Sequence, residues 1–252
     1  MTELDFHRGL LLALFGVAAL TLVGSQLVTA PYGRYPRPRW SGPELPSRLG
    51  WMLMELPQPV GLALCFATAT RPAGAVAYAW LGLWMFHYSY RTLLYPFVPR
   101  ASSMSAAVVG LGMVLNVAFS YLNGRWLFAL GPERPTAFLY DLRFVVGALA
   151  FFAGFTLCAW SDLHLRSLRG SGPRRYVVPE RGPFRLVANP NYAGELVMWL
   201  GWSLATWSLA GLAIAAVSAS NLVPRARRNL RWYRETFPDY PRTRKALIPF
   251  LF

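Results

Sequence analysis

The chain has 252 residues, of which 55% are hydrophobic and only 14% are charged, and its mean hydropathy is +0.33. A soluble domain does not need such a high fraction of apolar residues to fill its core. The composition therefore excludes an ordinary soluble protein and predicts an integral membrane protein. The net charge of +14 could indicate nucleic-acid binding. However, the basic residues lie between apolar runs, which favours cytoplasmic loops and no nucleic-acid partner.

Apolar runs of about 20 residues are long enough to cross the hydrocarbon core as helices. Seven such runs predict an all-α bundle of seven transmembrane helices, at 8–30, 49–70, 73–96, 102–122, 142–163, 193–207 and 208–235. The first run is expected to be retained, because Glu3 and Asp5 stand where a signal peptide would be basic. The last two divide one long apolar run at a tight turn near Trp207 and Ser208.

Two polar segments interrupt these runs. The segment 31–48 is rich in Pro and Gly, which predicts a loop or a re-entrant segment. The segment 164–192 belongs to an arginine-rich stretch, and its backbone cannot face hydrocarbon unless protein or water satisfies it. We therefore expect it to cap a cavity at one membrane face, where an anionic cofactor is the favoured ligand.

The distribution of charge orients the bundle. The positive-inside rule places the N-terminus outside and puts the capping segment and the C-terminus together on the cytoplasmic side. The basic extension of the last helix, which begins near Arg225, then meets the capping segment. Two arginine-rich segments at one face could bind a pyrophosphate and a further phosphate. For the basic helix extension, contact with lipid headgroups is the alternative. No Rossmann or P-loop motif is present.

Metal and disulfide chemistry are not expected. Cys65 and Cys158 both lie in apolar runs and are interpreted as small hydrophobic residues. The sequence has no motif typical of a metal site. Lys245 is the only lysine, and this preference for arginine favours a bacterial source.

Ionisable residues inside predicted spans need a partner or a function. Glu55 either forms a buried pair with an arginine or lines a substrate cavity, where a neutral carboxyl could donate a hydrogen bond. Tyr88 offers a phenolic donor on the next span, so the two together could polarise a carbonyl. His87 and Arg91 lie four positions apart and either anchor the bundle at an interface or belong to the same site.

Several motifs resemble those of the steroid 5-alpha-reductase (3-oxo-5-alpha-steroid 4-dehydrogenase) family. They are NPNYAGE, LATWSL and DYPRTRKALIPFLF near the C-terminus, and WSDLHLRSLR, RYVVPERG, MELP, FHYSYRT and YGRY upstream. The resemblance covers nearly the whole chain and is weakest over 101–137. It implies a seven-helix bundle that binds NADPH on its cytosolic side and reduces the 4,5 double bond of a 3-oxo steroid by hydride transfer to C5.

The resemblance also implies roles for individual residues. Glu55 and Tyr88 hold the 3-carbonyl, and the apolar residues near them, including Trp51 and Phe86, suit a flat sterol. The implied cofactor-binding positions are Asp162, Arg169, Tyr176, Asn191, Glu195, Arg225, Asn229 and Tyr233. Two family positions differ: Asn229 stands where the family has His, and Cys158 where it has Asn.

Two other functions remain open at this point. A membrane methyltransferase of the isoprenylcysteine carboxyl methyltransferase type would bind S-adenosylmethionine, but Arg234 and Glu235 stand where a Glu-Glu pair is expected. A lipid transporter or binding protein could use Glu55 as a proton site. For the reductase, we expect a steroid or another flat lipid enone as substrate, a monomer in contact with membrane lipid, and a multi-pass location in a bacterial inner membrane, or in the endoplasmic reticulum of a eukaryote.

Overall fold

The computed structural model describes residues 1–27, 42–98, 102–168 and 176–252. These residues are mostly helical, and the helices agree with an all-α membrane protein. Within the described ranges the α-helices are α1 (Glu3–Leu27), α2 (Ser47–Glu55), α3 (Pro57–Ala67), α4 (Ala75–Ser89), α5 (Ala106–Arg125), α6 (Leu142–Ser167), α7 (Pro190–Thr206) and α8 (Leu209–Thr236). Short 3-10 helices occupy Thr136–Tyr140 before α6 and Gly182–Arg185 before α7.

In the described part of the chain, five helical stretches are long and apolar enough to cross a membrane. They are Glu3–Gln26, Ser47–Ala67, Ala106–Leu130, Leu142–Ser167 and Leu209–Thr236. The other two predicted spans coincide with α4 and α7, which have only 15 and 17 residues. Several apolar helices of this kind make the chain a multi-pass membrane protein.

The span predicted at 49–70 is interrupted just after Glu55, where α2 ends and α3 begins. The cause is local, since Pro57 and Pro59 have no N–H group to donate. The carbonyls of Leu53 and Glu55 therefore receive no helical hydrogen bond from the residues four positions later. The interruption places Glu55 at a helix end, which the apolar pattern alone did not indicate.

The span predicted at 73–96 also changes character along its length. α4 passes into a π-helical turn at Tyr90–Leu94 and then into a 3-10 turn at Tyr95–Phe97. A π turn carries one extra residue per hydrogen-bonded loop and is found mostly at functional sites. Arg91 lies in this turn, so its side chain leaves the helix in a direction that regular α geometry would not give.

A short antiparallel ribbon, absent from the all-α prediction, joins β1 (Glu44–Pro46) to β2 (Ser103–Ser105). Next to it, the N–H of Ser47 donates to the carbonyl of Ser102 at 2.8 Å. The ribbon holds the starts of α2 and α5 together. Strands of three residues are too short to show a detectable alternation of apolar and polar residues, so the pattern does not predict them.

α6 and α7 form the most extensive helix pair among the described residues. Glycines allow this close approach, because a Cβ on Gly201 would lie 2.6 Å from the carbonyl oxygen of Gly147. A Cβ on Gly194 would lie equally close to the carbonyl oxygen of Gly154, at 2.6 Å. Small residues at such an interface are typical of helix packing in membranes. The pairing fixes the two helices that carry Asp162 and Glu195.

The turn predicted near Trp207 and Ser208 is present. Trp207 has a left-handed backbone, with φ of 47°, and ends α7. The hydroxyl of Ser208 accepts a hydrogen bond from the N–H of Gly211 at 3.0 Å and caps the start of α8. One apolar run is thereby divided into two antiparallel helices.

Aromatic residues dominate the core. Trp84 and Trp202 are fully buried, and their ring centroids lie 5.0 Å apart. Both indole N–H groups have acceptors: Trp84 donates to the carbonyl of Gln58 at 3.0 Å, and Trp202 donates to Oδ1 of Asn123 at 2.9 Å. These two indoles are therefore buried with their donors satisfied.

Candidate active site

Glu55 is buried, with 6% of its surface exposed, and forms an ion pair with Arg91. Nε of Arg91 donates to Oε1 of Glu55 at 3.0 Å. Removing one partner from such a buried pair leaves an uncompensated charge, so each residue stabilises the other in place. One of the two roles considered for Glu55, a pair with an arginine, is thus present in the structure.

Two aromatic rings hold the guanidinium of Arg91. Its Cζ lies 4.9 Å from the ring centre of Trp51 and 4.2 Å from that of Tyr95. The two rings meet edge to face at 5.3 Å. Because a cation is attracted to the face of an aromatic ring, this arrangement limits the movement of Arg91 and therefore of the carboxylate that it binds.

Tyr88 lies close to this pair. It is 3% exposed, and its ring packs 4.9 Å from that of Trp84 and 6.0 Å from that of Trp199. It interacts electrostatically with Glu55 and Arg91. The fold thus brings a phenol, a carboxylate and a guanidinium together in a buried region, where electrostatic interactions are stronger than in water.

The two apolar residues expected near the substrate occupy different surroundings. Trp51 belongs to the aromatic pair around Arg91. Phe86 is 45% exposed and packs against α6, with ring centroids 5.5 Å from Phe152 and 4.7 Å from Phe155. Trp51 is therefore in direct contact with the ion pair, whereas Phe86 is joined to the site through Phe155.

A cleft of about 310 Å³, a volume that includes its open mouth, lies between the end of α4, α6 and α7. Residues from all three helices line it. They are His87, Tyr90, Arg91, Tyr95, Phe155, Cys158, Ala159, Asp162, Glu195 and Met198. Arg91 reaches both the cleft and Glu55, so the cleft adjoins the buried ion pair.

Three of the expected cofactor-binding residues lie at this cleft. Asp162 and Glu195 line it, and Nδ2 of Asn191 donates to Oδ1 of Asp162 at 2.9 Å. The thiol of Cys158 lies 4.0 Å from the other carboxylate oxygen of Asp162. Asn191 belongs to the NPNYAGE motif and Asp162 to the WSD motif, so the two motifs are in contact.

Arg225 and Asn229 lie one helical turn apart on α8, and both are buried. Nε of Arg225 donates to the hydroxyl of Tyr192 at 3.1 Å. Nδ2 of Asn229 donates to Oδ1 of Asn189 at 2.7 Å. These bonds join α8 to the start of α7.

Tyr233 lies near the end of α8, and Tyr176 packs against its neighbour Trp232. The ring of Tyr233 stacks on that of Tyr240 at 5.1 Å, and the ring of Tyr176 lies 5.0 Å from that of Trp232. Burial raises the pKa of the Tyr240 phenol, which keeps it neutral. Arg169, the remaining expected cofactor ligand, lies outside the described residues.

The C-terminal tail is hydrogen-bonded to the segment that precedes α7. The N–H of Ala188 donates to the carbonyl of Lys245 at 2.8 Å, and the N–H of Lys245 donates to the carbonyl of Leu186 at 3.0 Å. NH1 of Arg244 donates to the carbonyl of Pro179 at 2.7 Å. The tail therefore fixes the segment that leads into α7.

Sequence reasoning did not assign Tyr90, Tyr95 and Cys158 to the site. All three line the cleft. Helical spacing was the available signal for Tyr90, because it lies three positions after His87 on the same helix face. Tyr95 had no such signal, since its direction depends on the π turn that precedes it.

Comparison with known proteins is consistent across the chain. The family model for 3-oxo-5-alpha-steroid 4-dehydrogenase matches residues 102–252. Steroid 5-alpha-reductase DET2 of Gossypium hirsutum is 34% identical over 250 residues, which cover 96% of each chain. 3-Oxo-5-alpha-steroid 4-dehydrogenase 1 of Rattus norvegicus is 36% identical over 243 residues, or 93% of this chain and 91% of its own. The type 2 protein of Homo sapiens is 38% identical over 212 residues, 82% of each chain.

These relatives come from plants and mammals and give no support to the bacterial source that the arginine-rich composition favoured. Their similarity extends over most of both chains, and the family model covers the helices that carry Asp162, Glu195 and Arg225. The chain therefore belongs to the 3-oxo-5-alpha-steroid 4-dehydrogenase family, a family of oxidoreductases.

Proposed function

We propose that this protein uses NADPH to reduce the 4,5 double bond of 3-oxo-4-ene steroids, giving 5-alpha-3-oxo steroids. The observation that carries the proposal is the ion pair between the buried Glu55 and Arg91, close to Tyr88, because Arg91 also lines the cleft that contains Asp162 and Glu195. The relatives support the same reaction, since their names describe steroid 5-alpha-reductases or 3-oxo-5-alpha-steroid 4-dehydrogenases.

The residues present fit a nicotinamide dinucleotide. Two residues that line the cleft, His87 and Tyr90, carry buried polar atoms that no described residue satisfies, as expected where a polar ligand binds. Arg225 provides a buried cation on the neighbouring side, and a guanidinium is suited to binding phosphate. The proposed cofactor ligands are Asp162, Arg169, Tyr176, Asn191, Glu195, Arg225, Asn229 and Tyr233.

The cofactor, when bound, supplies a hydride to C5 of the substrate. Negative charge then develops on the 3-carbonyl oxygen, and a donor directed at that oxygen lowers the barrier. We assign this donor to the hydroxyl of Tyr88. One donor of this kind typically contributes about 3 to 4 kcal/mol.

Glu55 and Arg91 support that donor. As an ion pair they place a fixed cation and a fixed anion beside Tyr88, and the guanidinium can offset part of the charge on the ketone oxygen. Trp51 closes one side of this region and, with Phe86, is assigned to the apolar wall for the sterol. The enolate becomes the saturated ketone by taking up a proton at C4.

The membrane arrangement follows from the same proposal. Counting α4 and α7 with the five longer stretches gives seven spans, and 164–192 then covers the cofactor on the cytoplasmic side together with the C-terminus. The bonds that join Asn189 to Asn229 and Lys245 to Ala188 support this arrangement, because they gather the tail and α8 around the start of α7. We propose a monomer as the functional unit.

The test is NADPH consumption by the purified protein across a panel of 3-oxo-4-ene steroids, with the product identified by mass spectrometry. We expect oxidation of NADPH to match formation of the 5-alpha ketone, and the saturated ketone itself to cause no consumption. Thermal-shift measurements with NADPH and S-adenosylmethionine address the alternatives. Stabilisation by S-adenosylmethionine alone would indicate a methyltransferase, and stabilisation by neither nucleotide would indicate a transporter or lipid-binding protein.

A further inference from the structure

Two residues that line the cleft each carry a buried polar atom with no hydrogen-bond partner among the described residues. One is Nδ1 of His87, a residue that is only 7% exposed, and the other is the hydroxyl of Tyr90, whose oxygen is buried. Both residues line the cleft. Because a buried polar atom without a partner is costly, such atoms usually mark the position of a ligand or an ordered water.

The two atoms belong to one face of the same helical stretch. Residues three positions apart in a helix are neighbours, and both rings contact the same residue of α6. The ring centroid of Phe155 lies 6.1 Å from that of His87 and 5.1 Å from that of Tyr90. Arg91 comes next in the chain, but its Nε is already bonded to Glu55. His87 and Tyr90 thus bring two polar groups without a described partner to the lining of one cleft.

The rest of the cleft limits which ligand group can meet this pair. Phe155, Ala159 and Met198 are apolar and suit a flat ring. Asp162 and Glu195 also line the cleft, and the cation in its lining, Arg91, is already paired with Glu55, so an anionic group would meet a surplus of carboxylate there. A neutral group with one donor and one acceptor agrees with these surroundings, and a primary amide has both.

We propose that His87 and Tyr90 bind the carboxamide of the nicotinamide ring. The amide N–H donates to Nδ1 of His87, with the imidazole proton on Nε2, and the hydroxyl of Tyr90 donates to the amide oxygen. The assignment rests on the proposed function, since it takes NADPH as the cofactor. It also makes His87 and Tyr88 adjacent residues with separate tasks, one towards the cofactor and one towards the ketone.

An analogue of NADP⁺ separates the two contacts. In the 3-acetylpyridine analogue a methyl group replaces the amide nitrogen, while the carbonyl oxygen is kept. The variants are His87→Phe, which retains a flat ring beside Trp199, and Tyr90→Phe, which removes only the hydroxyl. Equilibrium binding of both dinucleotides is measured on the purified protein, so the readout does not depend on turnover.

We expect His87→Phe to weaken NADP⁺ binding about tenfold and to change binding of the acetyl analogue by less than about twofold. Tyr90→Phe should weaken both ligands alike, by about five- to tenfold, because both keep the carbonyl oxygen. Adenosine 2′,5′-bisphosphate, which has no nicotinamide, should bind both variants and the wild type equally well.

Equal losses for the two dinucleotides in His87→Phe would overturn the assignment of His87, and an unchanged affinity in Tyr90→Phe would overturn that of Tyr90. If the His87→Phe variant also loses its affinity for the bisphosphate, the substitution has disturbed the fold. The result with Tyr90→Phe then tests the proposal. A wild-type protein that binds neither dinucleotide would instead refute the proposed function. Failure of the carboxamide assignment and failure of the NADPH proposal therefore give different results.

Discussion

Arg91 donates from Nε to Oε1 of Glu55 at 3.0 Å and so joins the π turn after α4 to the end of α2, 36 positions earlier in the chain. Two departures from regular helix make the contact possible. The prolines after Glu55 end α2, and the π turn redirects Arg91. The ion pair at the proposed active site thus depends on local backbone irregularities in two separate helices.

Tyr88→Phe should lower kcat for enone reduction about 100- to 1,000-fold, because it removes the proposed donor to the ketone oxygen. The ring contacts with Trp84 and Trp199 remain, so the melting temperature and NADPH affinity should stay close to those of the wild type. Steady-state kinetics with a 3-oxo-4-ene steroid provide the measurement. Turnover near the wild-type rate would remove Tyr88 from the reaction.

Glu55→Gln should abolish most activity and also lower stability, because it leaves the half-buried Arg91 without its charge partner; the loss should stay below the roughly 3 to 5 kcal/mol typical of a fully buried pair. The matched control is the double variant Glu55→Gln, Arg91→Gln. We expect it to recover much of the melting temperature but none of the activity. Recovery of activity in the double variant would contradict a catalytic role for the pair.

Arg225→Ala should weaken NADPH binding about tenfold or more, since a charge-assisted contact with phosphate is lost. Tyr192→Phe is the control, because it removes the hydroxyl that accepts from Nε of Arg225 but keeps the guanidinium. Its effect should be several times smaller. Dissociation constants measured at low and high salt test the prediction, and equal affinity in Arg225→Ala and the wild type would place Arg225 outside the cofactor site.

Gly201→Ala should destabilise the protein by about 1 to 3 kcal/mol, because the added methyl group would overlap backbone atoms of α6. Gly110→Ala is the control: it is also a helical glycine, but no atom lies within 4 Å of an added Cβ. This second change should be neutral or slightly stabilising. Thermal unfolding in detergent compares the two, and equal melting temperatures would show that α6 and α7 can separate to make room.

Asp141 provides a pH test outside the membrane-spanning segments. Hydrogen bonds from the side chain and backbone of Arg143 lower the pKa of its carboxyl to about 2. A lowered folded-state pKa contributes stability above the unfolded value near 3.8 and loses it as pH falls towards 2. Asp141→Asn should therefore melt below the wild type at neutral pH, and the difference should shrink between these two pH values. A constant difference across this range would assign the effect to another cause.

The features predicted from sequence were those that a local pattern encodes. Trp207 and Ser208 divide a run too long for one span, and the turn is present there. Arg225 and Asn189 belong to polar segments that charge bias assigned to one face, and they lie close together.

The pattern of the sequence could not identify which of the 24 arginines pairs with Glu55, because the choice depends on the direction in which a π turn points a side chain. His87 was recognised only as an ionisable residue, since its unmet Nδ1 becomes evident when the surrounding helices are in place.

The pairing of the tail with the segment before α7 has a consequence for biosynthesis. A membrane protein emerges from the ribosome from its N-terminus onward, so α7 can enter the bilayer before Lys245 and Ala246 have been made. The backbone N–H groups of Ala188 and Asn189 can then donate to Lys245 and Ala246 only after those two residues have been synthesised. The segment that leads into α7 is consequently fixed only after Lys245 and Ala246 have been synthesised, and nascent chains stalled before these residues should remain open to proteases at 186–189.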